Sequence, residues 1–136
     1  MREQLVALAA GAATAALISH LTRRRTVLRH VVQLAFTENA PVEDIVNAFD
    51  AMCRAMPHLI VGYERGTQCS PESHTKGLTH IFVLSFPSAA ARDLYLPHPV
   101  HEEFGRRWVA PHLKELCVSD YEALEVPLAP WWKVWT

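Results

Sequence analysis

Two nine-residue stretches, "LRHVVQLAF" (28–36) and "LTHIFVLSF" (78–86), constrain this chain most, because each places apolar side chains on every second residue. A period of two is the pattern of a strand with one buried face. In the first stretch Leu28, Val32, Leu34 and Phe36 share that face with His30; in the second, Leu78, Phe82, Leu84 and Phe86 share it with His80. Between them Val42, Ile45, Phe49, Met52 and Met56 recur at spacings of three and four. Pro41 suits a first helical position there, Glu43 and Asp44 fall in the first turn, and Pro57 stops the run. An amphipathic helix is predicted. "LIVGYERG" (59–66) and "LCVSDYEA" (116–123) read as two further strands, and "TQCSPESHTKG" (67–77) as an exposed loop.

The segment "DLYLPHPVHEEFG" (93–105) cannot be one helix. Ser88 suits the cap of a short helix, "AAARDLYL", which Pro97 must end because the residue before a proline avoids helical angles. Pro99 then starts a second helix in which Val100, Phe104 and Trp108 recur every four residues. The order β-α-β-β-α-α-β is that of an α+β ferredoxin-like sandwich whose second helix is broken in two. Its sheet has one face under helices. The other face, with Val31, Thr79, Ile81 and Val83, is still largely apolar, which predicts burial against a partner. The simplest closed solution is a homodimer packed through the open sheet face.

At 136 residues the chain has room for one compact domain, expected over residues 27–123. Thirteen basic residues against fourteen acidic ones leave a net charge of -1, so no nucleic-acid partner is expected. Cys53, Cys69 and Cys117 are odd in number and lack CxxC spacing, which points to a reducing compartment rather than to disulfides or a zinc knuckle. Two segments flank the domain. Residues 1–26 include an uncharged run from Gln4 to Thr22 ahead of Arg23, Arg24 and Arg25, which predicts a helix apolar on all sides. A membrane anchor at the short end of spanning length, an organelle-targeting segment and a packed soluble helix all fit it. If residues 4–22 span a membrane, the arginines hold the domain on the cytoplasmic side, so the expected location is the cytoplasm or a cytoplasm-facing membrane. Residues 124–136, "LEVPLAPWWKVWT", hold three of the four tryptophans and should dock on the domain, a dimer partner or a membrane interface.

The pieces "LRHVVQLAF", "THIFVLSF", "YLPHPVHEEFG" and "VSDYE" together resemble the stress-responsive dimeric α/β-barrel family, which includes a plant polyketide cyclase that forms olivetolic acid. The resemblance runs from about Leu28 to Glu122. It implies a dimeric α/β barrel and an apolar pocket for a hydrophobic small molecule. In the cyclase, the second histidine of the HPxH segment is the base and a tyrosine six places before it supports the reacting oxygen. Those positions are His101 and Tyr95 in this chain. The same likeness places His30, Val32, Leu34, Phe82 and Leu84 on the pocket wall. Phe82 is bulkier than the valine of the cyclase.

The chemistry fits the residue types. Aldol closure needs a base between two carbonyls, for which histidine is suited near neutral pH, and a donor to the oxyanion, for which a tyrosine in a dry cavity serves. In the competing reading His101 and Tyr95 merely brace the broken helix of a non-enzymatic stress-responsive homodimer, and both readings stand at this point. His98, at the break itself, is read as a cap. His98 and His101 are three apart, but Pro99 lies between them and neither an HExxH partner nor a cysteine pair is present, so no metal is expected. With no Gly-rich phosphate loop or GxSxG elbow, no cofactor is expected either.

Overall fold

The computed structural model describes residues 27–126. The apolar helix predicted within residues 1–26 and the tryptophan-bearing end of the tail, 127–136, lie outside the described residues. Four strands form one antiparallel sheet: β1 Leu28–Phe36, β2 Gly62–Thr67, β3 His80–Phe86 and β4 Leu113–Glu122, in the order β2-β3-β1-β4. The helices α1 Val42–Arg54, α2 Ala89–Tyr95 and α3 Pro99–Phe104 carry the connections, and α3 runs on into a π-helical turn, Gly105–Val109. The fold is ferredoxin-like, with the second helix interrupted as the prolines require. Among the described residues no helix is long and apolar enough to cross a membrane.

Alternation becomes burial most directly in β1, where Leu28, His30, Val32 and Leu34 are buried and Arg29, Val31 and Gln33 only partly so. The buried side meets α1 through an aromatic stack. Phe49 lies parallel to Phe82 with ring centroids 4.0 Å apart and parallel to Tyr63 at 5.8 Å, while Phe104 meets it edge-on at 5.0 Å. Beside this stack Asp50 accepts hydrogen bonds from Tyr63 Oη (2.9 Å) and from Arg65 Nε and Nη2 (2.7 and 2.9 Å), which ties α1 to β2. The Arg65 guanidinium holds the Asp50 carboxyl below the usual carboxylate range.

Three strand starts differ from expectation, and the smallest difference is in β3, which begins at His80 rather than Leu78. β2 begins at Gly62 rather than Leu59, because Leu59 and Ile60 donate their amides to the Met56 carbonyl in a turn that drops both side chains into the core. β4 begins at Leu113 rather than Leu116, because a register irregularity at Ala35 and Phe36 lets Leu113 pair with Phe36. The four-residue stack of Val100, Phe104 and Trp108 is also modified. The three share a shallow groove with Ala48 and Met52 of α1, yet only Phe104 is buried; Val100 stays exposed in the first turn, and Trp108 falls where the chain has left α-helical pitch.

Candidate active site

A cavity of about 350 Å³ lies between β1, β4 and the broken helix. Val32, Leu34, Phe49, Phe104, Leu116 and Val118 supply much of its apolar wall, and the polar side chains on its lining are His30, Tyr95 and His101. The two prolines bring the last two together. Tyr95 closes α2, and Pro97 stops the helix. His98 then caps α3 by accepting the Val100 amide on Nδ1 (3.2 Å), so this histidine braces the break as the sequence suggested. Three residues later the His101 ring lies 4.3 Å from the Tyr95 ring.

His101 donates from Nδ1 to the Leu96 carbonyl at 2.8 Å, an acceptor that the interrupted helix leaves unused. That bond fixes the proton on Nδ1 and leaves the lone pair on Nε2. Burial lowers the His101 pKa below its ordinary value near 6.5, against a smaller opposing effect of the Leu96 bond. The ring is therefore a neutral base at neutral pH. Tyr95 is 1% exposed, and burial pushes its phenol well above the ordinary value, so it remains a protonated donor.

His30 enters from β1. Its Nδ1 lies 2.6 Å from Oδ1 of Asp120, the residue opposite it in the β1–β4 register, and its ring meets Tyr95 edge-on at 5.8 Å. Asp120 also pairs with Arg92 of α2. Neither Asp120 nor Arg92 stands out in the sequence, since only strand register shows which β4 residue faces His30.

Five of the seven residues expected at the pocket line the cavity: His30, Val32, Leu34, Tyr95 and His101. Phe82 and Leu84 do not. Both face the helices as alternation requires, but they lie on β3, where α1 covers the sheet: the Phe82 ring is stacked on Phe49 and Leu84 is fully buried. The cavity opens toward β4 instead, so Leu116 and Val118 form the wall assigned to them. Neither Phe36 nor Trp108 lies on the lining, and the space beside His101 is preserved. His80 packs on Phe36 (5.2 Å) and contacts Thr79 Oγ1 (2.8 Å), away from the cavity. Among the described residues no group of three or more His, Cys, Asp or Glu side chains is placed to hold a metal ion.

A four-stranded ferredoxin-like sandwich with an apolar cavity and a histidine–tyrosine pair at a helix break defines the class. The chain belongs to the stress-responsive A/B barrel domain family, whose model matches residues 28–123. It is similar to the stress-response A/B barrel domain-containing protein HS1 of Arabidopsis thaliana, 26% identical over 104 residues that span 74% of this chain and 94% of that protein. Among solved structures it resembles a dimeric ferredoxin-like protein of unknown function from Jannaschia sp. CCS1, with 25% identity, a TM-score of 0.62, and coverage of 71% of this chain and 99% of that one. The hydroxynitrile lyase of Passiflora edulis shares the fold at 20% identity and a TM-score of 0.68, over 76% of this chain and 99% of that one.

Proposed function

We propose that this protein is an enzyme that closes or rearranges a small, largely apolar carbonyl compound in the cavity, with His101 as base and Tyr95 as oxyanion donor. The observation that carries the reading is the His101–Tyr95 pair, two rings 4.3 Å apart on an apolar wall, one a neutral base and the other a protonated donor. In an aldol closure His101 Nε2 takes a proton from the carbon between two carbonyls. That carbon then bonds to a second carbonyl carbon, whose oxygen becomes an alkoxide held by the Tyr95 hydroxyl, and the proton on His101 returns to it. No electrons leave the substrate, so the residues present suffice for the step. The test is incubation of the full chain with linear poly-β-keto thioesters and chromatographic detection of ring-closed product. Absence of product across chain lengths that fit the cavity would remove the reading.

Because burial depresses the His101 pKa, the base form persists below pH 6.5 and activity is lost only as pH falls through the lowered value. The acid limb of kcat/KM is expected below pH 6.5; a limb above it would contradict the assignment.

The domain is further proposed to act as a homodimer through the open sheet face. Val31, Ile81 and Val83 on that face are only partly covered within the chain, and the Jannaschia relative is described as dimeric. Val83→Asp is expected to sediment as a monomer with unchanged circular dichroism, whereas a variant that remains dimeric would point to another interface.

A further inference from the structure

The polar end of the cavity is reached from outside by a chain of three side chains. Arg92, in α2, bonds through Nη1 to Oδ2 of Asp120 and through Nε to Oδ1 of Asp93 (2.7 Å). Asp120 uses its other oxygen for His30 Nδ1 at 2.6 Å. The Arg92 and Asp120 side chains are 21% and 25% exposed and that of His30 6%, so the chain leads from the rim to a buried ring. Asp120 belongs to the edge strand β4, whose residues beyond Leu113 are all exposed. A carboxylate there is free to rotate toward water, and a single imidazole bond does not prevent it. Arg92 occupies the second oxygen and fixes the rotation, and its planar fork reaches both aspartates at once, which an ammonium does less well.

The orientation of that carboxylate decides what His30 offers the cavity. A carboxylate on Nδ1 keeps the ring proton there and leaves the lone pair on Nε2. We propose that Arg92 is a positioning residue of the cavity, acting through Asp120 to hold the His30 proton on Nδ1 and to present Nε2, beside Tyr95, as a second acceptor for the ligand. The polar end then consists of one phenol donor flanked by two imidazole acceptors, His30 and His101. Only the ligand's part in this rests on the proposed function; the effect of Arg92 on His30 does not.

The test is long-range proton–nitrogen correlation on the full chain with 15N-labelled histidines, His30 being assigned by its loss in His30→Gln. The wild-type protein is expected to show His30 in one neutral tautomer, with two widely separated nitrogen shifts and the proton on Nδ1. In Arg92→Met the two shifts should move toward each other as the other tautomer is populated, and Arg92→Lys should restore part of the separation. Should Arg92→Met fail to fold, Asp120→Asn is expected to give the same convergence. Unchanged His30 shifts in a folded Arg92→Met or Asp120→Asn protein, or a doubly protonated His30 in the wild type, would overturn the proposal. Convergent shifts in a protein with no ring-closing activity would leave it intact and remove only the enzymatic reading.

Discussion

His101→Ala is expected to lower kcat for ring closure by about 10²–10⁴-fold, the usual contribution of a positioned general base, with KM little changed. The imidazole is a small part of a largely apolar lining, so most substrate contacts survive its removal. Stability should also survive: the change deletes one hydrogen bond, to Leu96 O, on a partly exposed helix junction, worth about 0.5–1.5 kcal/mol. Tyr95→Phe is the informative companion, because it keeps the ring that packs on Phe86 at 5.1 Å and removes only the hydroxyl. Loss of an oxyanion donor reduces kcat by roughly 10²–10³-fold. Equal turnover in wild type and His101→Ala would reduce the residue to a brace for the helix break.

The largest expected effect on stability comes from Phe49→Ala, about 3–5 kcal/mol by denaturant titration, the range for deleting a buried phenyl ring. Phe49 is 2% exposed and is the ring that Tyr63, Phe82 and Phe104 all contact, so the hole has walls on α1, β2, β3 and α3. Each wall belongs to a different element, and collapse around the hole would require moving helix against sheet. Because domains are stable by only about 5–15 kcal/mol, such a loss consumes much of the total. Phe49→Leu, which refills part of the space, should lose less. A value under about 1 kcal/mol for the alanine variant would show that the stack is not the centre of the core.

The two stretches that alternate, β1 and β3, were legible almost to the residue because both are central strands whose helix-facing side chains must be apolar. The edge strands were less so. Glu64 and Arg65 in β2 and Lys114 and Glu115 in β4 relax the alternation, since an edge tolerates and even uses charge. The helix break was readable from Pro97 and Pro99; that Tyr95 and His101 meet at one cavity was suggested only by the family resemblance, with a bracing role equally open. Asp120 and Arg92 were not readable, because they meet His30 through strand register and helix placement, which no local pattern encodes. Phe82 and Leu84 show a related limit: alternation gives the correct face of a sheet but not the distance along it from the cavity.

The π-helical turn that follows α3 carries a consequence for how pockets of this family can diverge. Its bond from the Ala110 amide to the Gly105 carbonyl (2.8 Å) spans five residues rather than four, so the turn holds one residue beyond an α-helical count. Gly105, Val109 and Ala110 all line the cavity. Removing a single residue there would return the helix to α pitch and take one residue out of the cavity wall, while the residues that follow keep nearly the same orientation about the axis. The sheet, the proline break and the histidine–tyrosine pair would stay in place. The volume offered to a ligand can therefore change in one genetic step that leaves the chemistry untouched, with the length of this turn serving as the adjustable dimension of the site.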